Sequence, residues 1–146
     1  MSMDTASFRA FVEFFEARIA EDEAVAKAAI QHPSRYDPQT QDRIQTGIDN
    51  GEWRTDSYCD PNDLKMIEGA GITIYDEGGH TAEQAKHIAR HDPARALGEV
   101  AAKRGIVAKV RQGMVNIRIF PGLLESMQLL AVPYDDHPDY REEWRP

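Results

Sequence analysis

The residues with the clearest chemical potential are two histidines that stand four positions apart. His87 and His91 lie in the run HIARHD, and Asp92 follows directly. Residues four apart lie on one face of a helix, so two imidazoles at this spacing can chelate a metal ion. A metal-dependent hydrolase that uses His87, His91 and Asp92 is therefore one hypothesis for this chain.

The same residues also have a structural interpretation. A histidine at a helix end interacts favourably with the helix dipole, and Ile88 stands where a metalloprotease helix carries glutamate. His91-Asp92 is similar to the metal-binding pair of HD-type phosphohydrolases, but the next aspartate along the chain is Asp135, near the C-terminus. We therefore predict no cofactor, leave the enzyme question open, and favour a role without catalysis.

Composition indicates one globular domain that spans residues 1–146. Its 146 residues, 41% hydrophobic and 29% charged, suffice for a hydrophobic core. Cys59 is the single cysteine, so an internal disulfide is excluded. The opening MSMDTASFRAF has no apolar signal run, and no stretch approaches the roughly 18 apolar residues of a membrane span. We expect a cytoplasmic protein without membrane insertion.

The charge is unevenly distributed. The net charge of −8 argues against nucleic-acid binding, which needs clustered Lys and Arg. Residues 81–112 nevertheless hold seven basic and three acidic side chains, a local charge of +4, and leave −12 on the rest. This basic region, with Arg95 and Arg104, could contact an acidic partner or the chain's own acidic segments. An acidic inhibitor that mimics DNA is a further hypothesis.

Periodicity predicts helices at both ends of the chain. Apolar residues from Phe8 to Ile19 recur at spacings of three and four, which predicts a helix that starts near Asp4 or Ser7 and ends at about Gln31. These aromatics suit a core, and Phe11 and Phe15 could instead bind a partner. LLESMQLLAV predicts a last helix that Pro133 ends. After it, residues 133–146 are expected to be an extended tail anchored by Tyr134, Tyr140 and Trp144.

The centre of the chain predicts strands and two further helices. EWRTDSYC suggests a strand with Trp53 and Tyr58, and LKMIEGAGITIYDE a hairpin that turns at residues 69–71. Inward-facing residues of this hairpin are expected to be Met66, Ile72, Ile74 and Leu64. VNIRIFPG is a further strand candidate.

Two capping patterns mark the helices that follow the hairpin. Thr81 with Gln84 forms a capping box for a helix to about Arg90, and Asp92-Pro93 starts another. In that second helix Ala96, Val100, Val107, Val110 and Met114 form a near-heptad seam. The seam could pack against the first helix or a second copy, so a homodimer is compatible with the sequence. The predicted class is α+β and mostly helical, with three to four helices and a two- or three-stranded antiparallel sheet.

Three stretches resemble a family of small uncharacterised proteins encoded by actinobacteria and their bacteriophages. They are FRAFVEFFEARIAEDEAVAKAA, AKHIARHDPARALGEVAAKR and LLAVPYDDHPDYREEWRP, with HIARHDPAR and PDYREEWRP the most specific parts. The resemblance implies a domain of unknown function. Many relatives carry cysteines and a histidine before the last helix, which would suit zinc, but RQGMVNIRIFPGLLES here contains neither. The resemblance therefore does not favour metal at that position.

These observations favour an accessory protein that binds another protein, either a host factor or itself. If the chain is phage-encoded, the host cytoplasm is the expected location. The candidate metal ligands are His87 and His91. The candidate protein-binding residues are Phe11, Phe15, Arg95, Arg104, Tyr134, Tyr140 and Trp144.

Overall fold

The described chain is mainly helical and contains one small sheet. A computed structural model describes residues 3–47, 49–57, 65–75, 79–115 and 121–146. The helices are α1 (Thr5–Ala29), α2 (Pro38–Gly47), α3 (Ala82–Arg90), α4 (Pro93–Val115) and α5 (Pro121–Ala131), and the strands are β1 (Arg54–Asp56), β2 (Met66–Gly69) and β3 (Ile72–Tyr75). The predicted α+β class is confirmed, with one helix more than the expected three to four. No helix in the described residues has the length and apolar character needed to cross a membrane.

The chain divides into two compact units. The terminal unit comprises Met1–Asp22 and Glu99–Pro146, and the central unit comprises Glu23–Gly98. Helices α1 and α4 each contribute residues to both units. Each unit is described separately below.

Helix α1 starts with an aspartate cap. Of the two predicted caps, Asp4 is the one used, because its Oδ1 accepts the backbone N–H of Ser7 at 2.7 Å. The helix ends at Ala29, two residues before the predicted end, and a 3-10 turn of Pro33–Arg35 follows it. The phenylalanine-rich face of its first half belongs to the terminal unit.

The terminal unit has a continuous hydrophobic core. Its buried members come from α1, α4, α5 and the tail, and they are Phe8, Phe11, Val12, Phe14, Phe15, Ile19, Val100, Val107, Val110, Met127, Ala131 and Trp144. The predicted α4 seam is thus confirmed at its three valines, which share one core with the phenylalanines of α1. Ala96 is half-buried in the central unit, and the side chain of Met114 lies outside the described set.

Trp144 is the main anchor of the C-terminal tail. Its side chain is 2% exposed, and its ring centroid lies 5.5 Å from that of Phe11 and 5.2 Å from that of Phe14. The indole N–H donates to Ser7 Oγ at 3.2 Å, so its polar atom is also satisfied. The tail is not wholly extended, since it contains 3-10 turns at Val132–Tyr134 and Glu142–Trp144.

The prediction of a strand in VNIRIFPG is wrong at the two ends of this run, which are the parts of it that the structure describes. Val115 is the last residue of α4, and Pro121 is the first residue of α5. The alternating apolar pattern is overridden at these ends by helices that already bury apolar faces in the core. Residues 116–120 lie outside the described residues.

The central unit contains the predicted antiparallel sheet, in the order β1-β2-β3. β2 and β3 form the hairpin, and its two turn residues Ala70 and Gly71 have φ of 52° and 76°. Two successive positive φ values are typical of the type I′ turn, whose twist matches that of the strands. β1 is shorter than EWRTDSYC predicted, and Tyr58 and Leu64 lie outside the described residues.

The inward face of the hairpin differs from the prediction. Ile67 is completely buried, whereas Met66, Ile72 and Ile74 are only half-buried. Successive residues of a strand point to opposite faces, so the burial of Ile67 selects the face of β2 opposite to the one that carries Met66. The pairing is also irregular between Ile67 and Glu68, because β3 carries one extra residue, Ile74, between their partners Tyr75 and Thr73. Alternation alone could not reveal this bulge.

We expect Trp144→Ala to lower the free energy of unfolding by about 3–5 kcal/mol, because it removes a buried aromatic ring and leaves a cavity. Chemical denaturation followed by circular dichroism would measure the change. Asp136→Ala, which alters an exposed side chain of the same tail, should change stability by less than about 0.5 kcal/mol. Equal effects of the two substitutions would show that the tail is not anchored by its tryptophan.

Candidate functional site

The described surface of the central unit carries a groove between β3 and α3. Its volume is about 680 Å³, and we call it the β3–α3 groove. It is lined by Tyr75, Gly79, His80, Glu83, Gln84, His87 and Ile88. Most of its exposed lining is apolar, which distinguishes it from the polar depression that Asn50, Glu52 and Trp53 help to line on the same unit.

Helix α3, one wall of the groove, begins where the sequence predicts. The side chain of Thr81 accepts the backbone N–H of Gln84 at 3.2 Å, and the side chain of Gln84 accepts that of Thr81 at 2.7 Å. This reciprocal pair is the predicted capping box, and the helix spans Ala82–Arg90 as expected. The start of the helix is therefore fixed by local hydrogen bonds.

Two small residues set how α3 lies on the sheet. Ala85 and Ala89 are its buried residues, and the helix lies against β1 and β2. Alanine permits a close approach of helix and sheet but supplies little hydrophobic area. The larger side chains of α3 are consequently on the exposed part of the helix, where His87 and Ile88 line the groove.

Apolar side chains in the groove are open to solvent. Tyr75 is 43% exposed and Ile88 is 37% exposed. The ring of Tyr75 lies 5.0 Å from that of His80, at an interplanar angle of 44°. The Nε2 atom of His80 is also hydrogen-bonded to the backbone carbonyl of Lys65, so the imidazole is held against the tyrosine. A restrained aromatic pair of this kind offers binding area at a small cost in side-chain entropy.

The described lining of the groove contains one carboxylate. Of the lining residues in the described chain, Glu83 is the one that carries a formal charge. It is exposed on the first turn of α3, where a carboxylate is also favoured by the helix dipole. Apolar surface beside one carboxylate is suited to a ligand that carries a cationic group on an apolar stem.

The predicted histidine pair is adjacent on α3. The ring centroids of His87 and His91 are 4.5 Å apart, and both side chains are exposed. His91 is the C-terminal cap, and its backbone N–H donates to the carbonyls of His87 and Ile88. The spacing argument for adjacency is thus correct, while metal binding by the pair stays a prediction.

Asp92 has a structural use that competes with metal binding. Its Oδ1 accepts the backbone N–H of Arg95 at 2.8 Å, which makes it the predicted N-cap of α4. Its Oδ2 accepts the backbone N–H of Trp53 at 3.1 Å. Both carboxylate oxygens are therefore engaged, and the described residues contain no group of three His, Cys, Asp or Glu side chains that could hold a metal. This arrangement gives the hydrolase hypothesis no support.

The aromatic residues proposed for partner binding lie in the terminal unit. Phe11, Phe15 and Trp144 are at most 2% exposed, in keeping with the core alternative that the sequence also allowed. Tyr134 and Tyr140 are half-buried against the same core. As partner-binding residues all five stay predictions, and the two tyrosines keep the greater accessible surface.

A hydrogen-bonded triad ties Tyr134 to two helices of the terminal unit. The Lys103 ammonium donates to Asp22 at 3.1 Å and to the Tyr134 hydroxyl at 2.5 Å, and that hydroxyl donates to Asp22. Desolvation lowers the pKa of Lys103, but its hydrogen bonds to Tyr134 and Asp22 outweigh this and raise the pKa above its usual 10.5. Desolvation, with the hydrogen bond to Asp22, raises the pKa of Tyr134 above 10.0.

The two arginines predicted to bind a partner are both exposed on α4. Arg95 belongs to the central unit and Arg104 to the terminal unit. Arg104 helps to line a depression beside Arg111, whose guanidinium pairs with Glu16. Part of the basic region is therefore compensated by the chain's own acids, as one of the two sequence alternatives proposed.

Sequence reasoning did not identify the β3–α3 groove. The sequence gives Tyr75 and Ile88 no mark of a binding role, because a tyrosine at a strand end and an isoleucine on a helix usually indicate core. The sequence of α3 does contain a usable signal, because the two positions of this helix that are buried, Ala85 and Ala89, are both alanine. A helix with so little apolar area facing inward leaves its bulky apolar residues outside.

Comparison with known proteins gives a family and no relative of known function. The model of a family described as "Family of unknown function (DUF6221)" matches residues 8–146. No curated protein and no solved structure matches the chain. The geometry described above is therefore the basis for any functional argument.

We expect Asp92→Ala to lower the free energy of unfolding by about 1–2 kcal/mol, because two backbone N–H groups lose their acceptor. Urea titration would measure this. Asp92→Asn keeps an acceptor and should lose less than half as much. A neutral effect of Asp92→Ala would contradict the anchoring role of this carboxylate.

Stability should also depend on the triad at high pH. The pKa values of Lys103 and Tyr134 are raised on folding, so the folded state holds both protons more tightly. Their contribution is complete below about pH 10 and is lost as pH rises through the folded-state values. In urea titrations, Tyr134→Phe should lower the urea concentration at the midpoint of unfolding at pH 8. At pH 11 the same substitution should lower this midpoint by less. Tyr36→Phe, at an exposed tyrosine, is the control, and a Tyr134→Phe effect independent of pH would refute the linkage.

Proposed function

Because the chain belongs to the DUF6221 family of unknown function, we propose its function from its own surface: it is an accessory protein without catalytic activity that binds another protein through the β3–α3 groove. The observation that supports this proposal is the exposed apolar lining of the groove, with Tyr75 and Ile88 at its two walls. Aromatic side chains are enriched at the energetic centres of protein interfaces.

The occupant that fits the groove is a segment of a partner protein that carries Lys or Arg among apolar residues. The stem of such a side chain can lie on Tyr75 and Ile88 while its cationic head meets the carboxylate of Glu83. The whole chain carries a net charge of −8, but residues 81–112, which include α3, carry +4. The electrostatic part of the fit therefore rests on the Glu83 carboxylate inside the groove.

The DNA-mimic alternative has less support from the acidic side chains. Within the terminal unit Glu16 pairs with Arg111, and Asp135 lies 3.5 Å from Arg145. Within the central unit Glu23 pairs with Lys27 at 2.6 Å. Cations placed among the acids interrupt the uniform row of negative charge that a phosphate backbone presents.

The proposal also covers the domain organisation, the cellular location and the source of the chain. We propose that the chain acts as one domain, because α1 and α4 each contribute residues to both units. A cytoplasmic location is supported by the single cysteine, which cannot form an internal disulfide. The actinobacterial or phage source rests on the resemblance of HIARHDPAR and PDYREEWRP, and it makes a host protein the first partner to test, with a second copy as the alternative.

Substitutions in the groove should weaken partner binding. We expect Tyr75→Ala and Ile88→Asp each to lower the affinity at least about tenfold, because each removes exposed apolar contact area. Glu83→Lys should weaken the same complex and reduce its sensitivity to salt, because it places like charge opposite a basic segment. Affinity purification from host cells, followed by titration of the purified partner, would measure these effects.

Leu129→Ala is the matched control. Leu129 is 57% exposed on α5, in the terminal unit, so its loss also removes exposed apolar area but leaves the groove intact. A partner that tolerates Leu129→Ala and not the groove variants supports the proposal. Retention of the partner by all four variants, or its equal loss from all four, would refute it. Light scattering of the purified chain would separate self-association from binding of a different protein.

A further inference from the structure

We propose that His87 and His91 form a binding site for one late-transition-metal ion, preferentially Cu²⁺ or Ni²⁺. His87 lies in the last turn of α3 and His91 is its C-terminal cap; both imidazoles are exposed, and their ring centroids are 4.5 Å apart. Both belong to the central unit. This site is argued from the histidine pair alone and does not depend on the proposed binding of a protein.

The separation of the rings agrees with chelation of a single ion. A metal–nitrogen distance of about 2.0 Å places the ion roughly 3.2 Å from each ring centre when it lies in the ring plane. Two such ligands at 90° then have centroids about 4.5 Å apart, and at the tetrahedral angle about 5.2 Å apart. The observed 4.5 Å corresponds to two neighbouring positions of a square-planar or octahedral ion.

Both histidines are held at this spacing by the backbone. His87 lies within the last turn of α3, and His91 caps the helix, with its N–H bonded to the carbonyls of His87 and Ile88. An ion therefore meets two ligands whose Cα positions are already fixed, and it has to order only their side-chain torsions. Such pre-organisation increases the affinity of a two-ligand site.

The ligand set favours copper and nickel over zinc. Asp92 accepts the backbone N–H groups of Arg95 and Trp53, and among the described residues no third His, Cys, Asp or Glu side chain joins the pair in a group that could hold a metal. Water would complete the coordination, which is usual for tetragonal ions with nitrogen and oxygen ligands. A structural zinc site would require four protein ligands, whereas two imidazoles suit the stronger nitrogen binding of Cu²⁺ and Ni²⁺.

Titration of the full chain with CuCl₂, NiCl₂ and ZnCl₂ in separate calorimetric experiments would test the site. We expect one equivalent of ion to bind, with affinity in the order Cu²⁺ > Ni²⁺ > Zn²⁺. His87→Ala and His91→Ala should each lower the Cu²⁺ affinity at least about tenfold. His32→Ala and His137→Ala are matched controls, since they remove histidines outside both the pair and the β3–α3 groove and should leave the affinity within about twofold.

A spectroscopic readout separates ligation from a structural effect of the substitutions. Electron paramagnetic resonance of the Cu²⁺ complex should indicate two imidazole nitrogens in the unaltered chain and one in each single variant. Circular dichroism should show that the variants remain folded. The proposal would be overturned if His87→Ala bound Cu²⁺ as tightly as the unaltered chain, or if the control variants lost binding instead. It would also be overturned if a single nitrogen bound the ion in the unaltered chain and in every variant.

Discussion

The central unit depends on the carboxylate of Asp92, because this one group ties a loop before the sheet to the junction of two helices. Its two oxygens accept the N–H groups of Arg95, at the start of α4, and of Trp53, just before β1. The carbonyl of Gly51 accepts the N–H of Ala94 at 3.1 Å and supports the same junction. These bonds fix the point at which α3 ends, and so the placement of α3 on the sheet that forms the groove. An aspartate used in this way is structural even though its neighbours suggest a metal site.

How far the sequence predicts this protein depends on whether a feature is local. The capping box of α3, the cap of α4 and the hairpin turn at Ala70 and Gly71 each follow from a few neighbouring residues, and each is where the sequence places it. The inward face of β2 is different, because Met66 and Ile67 are both apolar and lie on opposite faces of the strand, so alternation alone does not decide which of them is buried. VNIRIFPG shows the same limit, since its alternating pattern predicts a strand, whereas Val115 ends α4 and Pro121 begins α5.

The histidine pair and the groove also differ in how far the sequence predicts them. Adjacency of His87 and His91 follows from helical geometry alone, so it could be predicted. The groove needs Tyr75 from a strand and Ile88 from a helix to meet on one surface, and no spacing rule joins residues whose contact is set by how α3 lies on the sheet. Burial likewise separates residues that look equivalent in the sequence. Trp144 is enclosed in a core, whereas Tyr75 presents its ring to solvent.

The small buried face of α3 connects fold and function in this chain. Ala85 and Ala89 let the helix approach the sheet closely, but together they bury far less apolar area than leucine or isoleucine would. The helix therefore relies on capping at both ends for its position, with Thr81 as the cap at its start and His91 as the cap at its end. Side chains released from core packing are available for other roles: Ile88 and His87 line a groove, and the rings of His87 and His91 lie together as the pair that we propose to bind metal. Replacing the alanines by larger residues would overpack the contact between helix and sheet and displace the helix, and it would change both proposed sites.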